Sequence, residues 1–242
     1  MSMVRIGNFL FHYRNGIFPV AFLILVLVGQ PSFLFGSKGW DMTLDIIGLL
    51  VSLAGQVLRM VTIGFDYIRR GGVNRKIHAD RLVTGGMFSH SRNPLYLGNL
   101  LMFIGLTMVI NSPVIYLIGI PLAFFVYAAI IAAEEDFLRK KFGQDYIDYC
   151  NKVNRLWPNL KGFSHSIAEM EFNWKRVLVK EYNTTFAWLL TALALIYWQN
   201  QALLDSAQAA LYNQWIPATF AGLLVLYFII WRLKKTGRLR AD

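Results

Sequence analysis

The chain has 242 residues, 56% of them hydrophobic and only 16% charged, with a net charge of +10. A soluble domain ordinarily has about a quarter of its residues charged, so the composition excludes an ordinary soluble globule. The basic residues cluster between apolar runs and do not cover a polar face, which argues against nucleic acid as a partner. A membrane-crossing helix needs about 20 mostly apolar residues. Residues 1–16 are polar and aromatic with no small-residue cleavage site, so the first apolar run, 17–35, is expected to be a retained helix. The second run, 42–64, carries Asp45, Gln56 and Arg59. Runs 95–110 and 113–133 are separated by Asn111-Ser112-Pro113, a turn sequence that predicts a helical hairpin. A short run at 184–198 and a longer one at 215–233 follow. The expected fold is all-α: a polytopic transmembrane helical bundle of about six spans with short interfacial helices.

Every Lys and Arg except Lys38 and Arg59 then falls on one side of the membrane. The positive-inside rule places both termini and both large loops in the cytoplasm. Five spans would carry Arg232, Lys234, Lys235, Arg238 and Arg240 to the opposite side. Arg59 reads as a side chain snorkelling to the cytoplasmic end of its span, with Asp45 the other polar residue of note there. The tryptophans sit near span ends, as an aromatic belt would. The single cysteine, Cys150, excludes an intrachain disulfide and a thiolate cluster, and no metal is expected. The chain divides near residue 160. Residues 1–160 form a four-span core holding the candidate chemistry, and 161–242 an interfacial segment with two additional spans.

Three polar groups stand out. Residues 80–96 contain Gly85 and Gly86, which permit close backbone approach to a ligand, and Arg92, whose guanidinium fork suits a carboxylate or phosphate. Pro94 suits the first turn of a helix, so a helix N-terminus with free N–H groups begins beside Arg92 and Asn93. Tyr96 follows one turn later. The alternative is an interfacial loop with a helix-starting proline and a snorkelling arginine. The second group is Glu134-Glu135-Asp136, directly after an apolar run. Acids at a membrane boundary are functional candidates, or else pair with Arg139 and Lys140 along the helix. The third begins at Phe142-Gly143-Gln144-Asp145-Tyr146. Phe142, Tyr146 and Tyr149 share one helical face, which predicts a short amphipathic helix on the membrane surface. Arg155, before Trp157-Pro158, is a further anion ligand or headgroup contact. The hairpin brings Arg92–Tyr96 and Glu134 to one level, with lipid alongside.

These residues together resemble a known family. Leu82-Val83-Thr84-Gly85, Arg92-Asn93-Pro94-Leu95-Tyr96-Leu97-Gly98, Glu134-Glu135, Phe142-Gly143-Gln144-Asp145-Tyr146, Tyr149 and Arg155-Leu156-Trp157-Pro158 are similar to the isoprenylcysteine carboxyl methyltransferase and phospholipid methyltransferase family, over about residues 55–160. The resemblance implies an integral-membrane, multi-pass methyltransferase whose active site faces the cytoplasm and binds S-adenosylmethionine. By position it implies cofactor contacts from Asp80, Arg81, Leu82, Val83, Phe88, Asn93, Pro94, Leu95, Tyr96 and Glu134. Arg92, Glu135 and Tyr96 are expected to serve catalysis and Arg155 the substrate. The family commonly has His at Arg81, Tyr at Phe88 and His at Asn93. Where the eukaryotic isoprenylcysteine enzymes carry an arginine for the substrate, this chain has Ile130. The expected partner is a membrane lipid or an isoprenoid-bearing acceptor, either a carboxylate or an amine. Two rival readings are an NADPH-dependent membrane reductase of the steroid-reductase-like type and a non-enzymatic transporter or lipid-binding protein. The first shares the Arg-x-Pro-x-Tyr-x-Gly pattern. The second predicts polar residues at mid-membrane.

Overall fold

The apolar runs become helices, and most of the helices outrun them. In the computed structural model, which describes residues 2–33, 36–66, 77–168 and 170–240, the order is α1 (Met3–Val28), α2 (Lys38–Phe65), α3 (Pro94–Ile110), α4 (Ile120–Phe142), α5 (Gln144–Lys152), α6 (Phe163–Ile167), α7 (Trp174–Leu203), α8 (Ser206–Asn213) and α9 (Ile216–Lys235). A 3-10 turn, Gly86–Ser89, precedes α3, and a π-helical segment, Ile115–Gly119, runs into α4. The basic residues Arg69, Arg70, Arg75 and Lys76 lie outside the described residues, as does the end of the first apolar run. Backbone hydrogen bonding does not stop where hydropathy does. α1 therefore extends upstream through Arg14, and α4 continues downstream through its acids to Phe142.

The all-helical class holds. Among the described residues, four helical stretches are long and apolar enough to cross a membrane: Met3–Val28, Lys38–Phe65, Ile115–Phe142 and Ser206–Lys235. α3 is apolar but has 17 residues. α7 has 30 residues, and Lys175, Arg176, Lys180 and Glu181 make its first half polar.

α2 packs chiefly on α3, and α1 on α4, while α7 touches α2, α3 and α9. The α2–α3 contact is a backbone approach through two glycine pairs. A methyl group on Gly48 would lie 2.5 Å from the Gly105 carbonyl oxygen, and one on Gly55 would lie 2.6 Å from that of Gly98. Small residues allow this approach, which increases dispersion contact where lipid removes any hydrophobic drive. α1 meets α4 in the same way: a methyl on Gly7 would fall 1.9 Å from the Ala129 carbonyl oxygen.

The α3–α4 turn is anchored, not merely tight. Asn111 closes α3 in the left-handed region at φ 53°, a conformation that asparagine tolerates. Its Nδ2 donates to Asp41 Oδ1 at 2.9 Å, and its carbonyl accepts from Ser32 Oγ at 3.1 Å. Gln199 Nε2 of α7 donates to Asp41 Oδ2 at 2.9 Å and to Asp45 Oδ1 at 3.3 Å. Asp45 therefore belongs to this far end and not with Arg59.

Two surface expectations are corrected. Trp188 lies in the core among Met102, Leu106 and Ile110, whereas Trp40, Trp157, Trp174, Trp215 and Trp231 are exposed as belt residues would be. The aromatic face of α5 turns inward: Tyr146 and Tyr149 are buried, and the Tyr149 hydroxyl donates to the Phe88 carbonyl at 2.6 Å. The period of three to four residues located the apolar face, but the neighbouring 3-10 turn, not lipid, covers it.

Candidate active site

The site forms where the N-terminus of α3 meets the C-terminal half of α4. Pro94 occupies the first turn of α3, so the loop before it fixes the helix. That loop is fastened to the segment after α5. The Arg92 backbone N–H donates to the Asn154 carbonyl at 2.9 Å, Ser91 Oγ to the Leu156 carbonyl at 2.7 Å, and Asn93 Nδ2 to the Arg155 carbonyl at 2.8 Å. The Asn159 N–H returns to the His90 carbonyl at 3.0 Å. The buried His90 ring adds contacts to the Asn159 carbonyl through Nδ1 and to Ser166 Oγ through Nε2, and it lies against Phe163.

Across this frame the Tyr96 hydroxyl donates to Glu134 Oε1 at 2.6 Å, joining residues 38 apart in sequence. The hairpin therefore brings α3 and α4 together at the site, although the two helices share little contact elsewhere. Arg14 of α1 is close enough to act electrostatically on both Tyr96 and Glu134.

Glu135 faces two guanidinium groups. Arg155 Nη2 lies 2.9 Å from Oε2 and its Nε 3.1 Å from Oε1, while Arg92 Nη2 lies 3.5 Å from Oε1. Two cations around one carboxylate leave the cluster with an excess positive charge. Arg92 is 14% exposed, and its Nε is buried without a hydrogen-bond partner. A buried donor left unmatched costs about 1–3 kcal/mol, so this nitrogen is suited to an acceptor supplied by a ligand. Asp136 behaves differently: it pairs with Lys140 along the helix at 2.7 Å.

The upstream residues form a separate edge. Arg81 pairs with Asp66 at the end of α2, at 2.8 Å, and Asp80 with His78 at 2.8 Å. Lys141 Nζ donates to the Ala79 carbonyl, which ties this edge to the last turn of α4. Val83 and Phe88 are buried and Leu82 is half-buried. Arg92, Asn93, Tyr96, Glu134, Glu135 and Arg155 are thus brought together, while Arg81, ion-paired with Asp66, and Asp80, hydrogen-bonded to His78, flank them. The sequence reading missed Arg14 and His90 as parts of the frame, and named Tyr149 but placed it on the membrane surface. Arg14 looked like a topology charge, and only its burial reveals His90.

Tyr149 and Tyr146 are both held neutral, because burial pushes each phenol well above its ordinary value. The Arg92 charge opposes the shift at both, and Glu135 reinforces it at Tyr146. They act as fixed hydrogen-bond donors and packing groups rather than as bases.

Known proteins share this region. Residues 44–145 match the family model described as phospholipid methyltransferase. A protein-S-isoprenylcysteine O-methyltransferase of Xenopus laevis is 36% identical over 125 residues, covering 49% of this chain and 42% of that protein. The Saccharomyces cerevisiae protein of the same name is 32% identical over 114 residues, covering 45% of this chain and 46% of its own. The chain thus spans less than half the length of either. A cobalt-zinc-cadmium resistance protein of Cupriavidus metallidurans is 31% identical over 156 residues, covering 64% of this chain and 68% of that protein. No solved structure matches the chain significantly. The matched stretch carries Arg92, Tyr96, Glu134 and Glu135 on the helices that bring them together, and over it the chain carries a region of the phospholipid methyltransferase family that is similar to isoprenylcysteine O-methyltransferases.

Proposed function

We propose that this protein is an integral-membrane methyltransferase that takes a methyl group from S-adenosylmethionine and passes it to a lipid-like or isoprenoid acceptor. The observation that carries the reading is the Tyr96–Glu134 hydrogen bond beside the Arg92–Glu135–Arg155 cluster. This is an acid and a cationic cluster side by side, the pairing a zwitterionic amino-acid moiety requires. Glu134 meets the ammonium or a ribose hydroxyl, and Arg92 Nε meets an anionic oxygen. Asn93, Pro94 and Leu95 supply the helix N-terminus, and Phe88 an apolar wall. Asp80, Arg81, Leu82 and Val83 form the outer edge. When bound, the sulfonium supplies an activated methyl group with its own leaving group. The protein's part is alignment and exclusion of water. Tyr96, fixed by Glu134, and Glu135, fixed by two arginines, orient the acceptor.

Arg155, 47% exposed at the rim, receives the acceptor's anionic group. Ile130 is buried, so the acceptor meets no cation there. A carboxylate acceptor needs no general base, which agrees with phenols held neutral around the site. In this reading the chain crosses the membrane about six times, with the termini, the large loops and the site on the cytoplasmic face, as the basic residues direct.

The test is to incubate membranes containing the protein with S-adenosylmethionine labelled at the methyl group and to identify the labelled product. Label in a lipid or prenylated acceptor, lost in Arg92→Ala and Glu134→Ala while both still insert, is the expected result. Near-normal methylation by either variant overturns the site. Thermal stabilisation by NADPH and not by S-adenosylhomocysteine overturns the reaction class.

A further inference from the structure

The family match ends at residue 145, yet α7 sends a carboxylate into the interior of the matched region. Glu181 is 1% exposed and Arg59 of α2 4% exposed. The pair is bidentate, with Arg59 Nε 2.9 Å from Oε2 and Nη2 2.8 Å from Oε1, and Gln56 Nε2 also donates to Oε2 at 3.4 Å. The remaining arm of the guanidinium reaches the start of α3. Nη1 donates to the Leu95 carbonyl at 3.1 Å and to Asn99 Oδ1 at 2.6 Å. Asn99 stands one turn after Tyr96 on α3, the Tyr96 ring lies 5.5 Å from that of Tyr127, and Tyr96 holds Glu134. Gly98 makes room for the guanidinium stem: a methyl there would sit 2.5 Å from Arg59 Cγ.

We infer that Glu181, through Arg59 and Asn99, is a positioning residue for Tyr96 and Glu134, so that the C-terminal helices set the geometry of the cofactor site. The inference rests on the methyltransferase reading. An arginine at this depth keeps one orientation only if a carboxylate fixes its fork. Glu181 takes two of its nitrogens and leaves the third aimed at the first turns of α3, next to Tyr96. An ion pair that served only to dock α7 has no need of that third arm. This one spends its third arm on the helix that carries the site.

Two variants of the full chain in lipid nanodiscs separate positioning from docking. Asn99→Leu leaves the ion pair intact and removes the side-chain acceptor through which Arg59 holds α3. The Arg59→Met/Glu181→Leu double substitution keeps an apolar seam between α2 and α7 and removes the donor to α3. The readout is S-adenosylhomocysteine affinity by calorimetry, together with thermal unfolding. An affinity loss of about tenfold is expected in both variants, with Asn99→Leu still folded though less stable than wild type. In a Tyr96→Phe background Asn99→Leu adds little, because both act through one side chain. Wild-type affinity in a folded Asn99→Leu protein, or full additivity with Tyr96→Phe, overturns the positioning role. So does a double variant that loses its fold while Asn99→Leu binds normally, since the pair then only docks α7. Absence of S-adenosylhomocysteine binding by the wild type overturns the methyltransferase reading itself, and the positioning role with it.

Discussion

Replacing Glu134 by Gln changes one property of the site and preserves the rest. The amide oxygen still accepts from the Tyr96 hydroxyl, which now lies 2.6 Å from the carboxylate, and the Tyr96 ring keeps its place against Tyr127. What disappears is the carboxylate that the proposal sets against the ligand's ammonium. A hydrogen bond to a charged group is worth about 1.5–3 kcal/mol and a neutral one about 0.5–1.5, so the substitution removes roughly 1–2 kcal/mol of binding. That corresponds to a rise of about 5- to 30-fold in the dissociation constant. Calorimetry with S-adenosylhomocysteine measures it directly, and initial rates at varied S-adenosylmethionine give the matching rise in KM. Asp136→Asn is the control, because its carboxylate pairs with Lys140 and not with the site. An affinity within twofold of wild type for Glu134→Gln, with Asp136→Asn the weaker binder, refutes the placing of the ammonium at Glu134.

Arg92→Lys is expected to lower methylation by more than tenfold, because an ammonium lacks the buried Nε donor; steady-state rates check it. Arg155→Ala, at a half-exposed rim, is expected to raise the acceptor KM severalfold with little change in S-adenosylhomocysteine affinity. Gly98→Ala forces a methyl to within 2.8 Å of the Gly55 carbonyl oxygen as well as against Arg59. It is expected to cost about 1–3 kcal/mol, read as a lower unfolding temperature in detergent. Tyr149 has a folded-state pKa raised above the ordinary 10.0, so its contribution is complete below that value and is lost as pH rises past it. Stability should therefore fall above about pH 10, and fall less steeply in Tyr149→Phe.

Much of this architecture is legible in the sequence. Apolar runs locate the long helices because transfer from water to lipid is nearly additive along a chain. Asn111-Ser112-Pro113 announces its turn, and Pro94 announces the start of α3, because both obey local backbone rules. The hairpin brings Tyr96 and Glu134 to one level, but their hydrogen bond is seen only in the structure. Pairings between distant elements are less accessible. Nothing near Arg59 in the sequence points to Glu181, and Asp45, the nearest acid in its span, serves Gln199 instead. The inward turn of Tyr146 and Tyr149 was hidden for a related reason. An amphipathic helix reports that one face is covered, but not whether lipid or protein covers it.

The buried pair also constrains how the chain is made. Ribosomal synthesis delivers α2 and α3 in succession, and their glycine seam closes early. α1 has no such neighbour, since its partner Ala129 lies in α4. Arg59 waits longer still: its carboxylate arrives with α7, after every residue of the candidate site has been translated. An arginine within a spanning helix is costly without partners, and the carboxylate that pairs with Arg59 is supplied only when α7 is made. A chain halted before residue 181 holds every residue of the candidate site but lacks the carboxylate that pairs with Arg59.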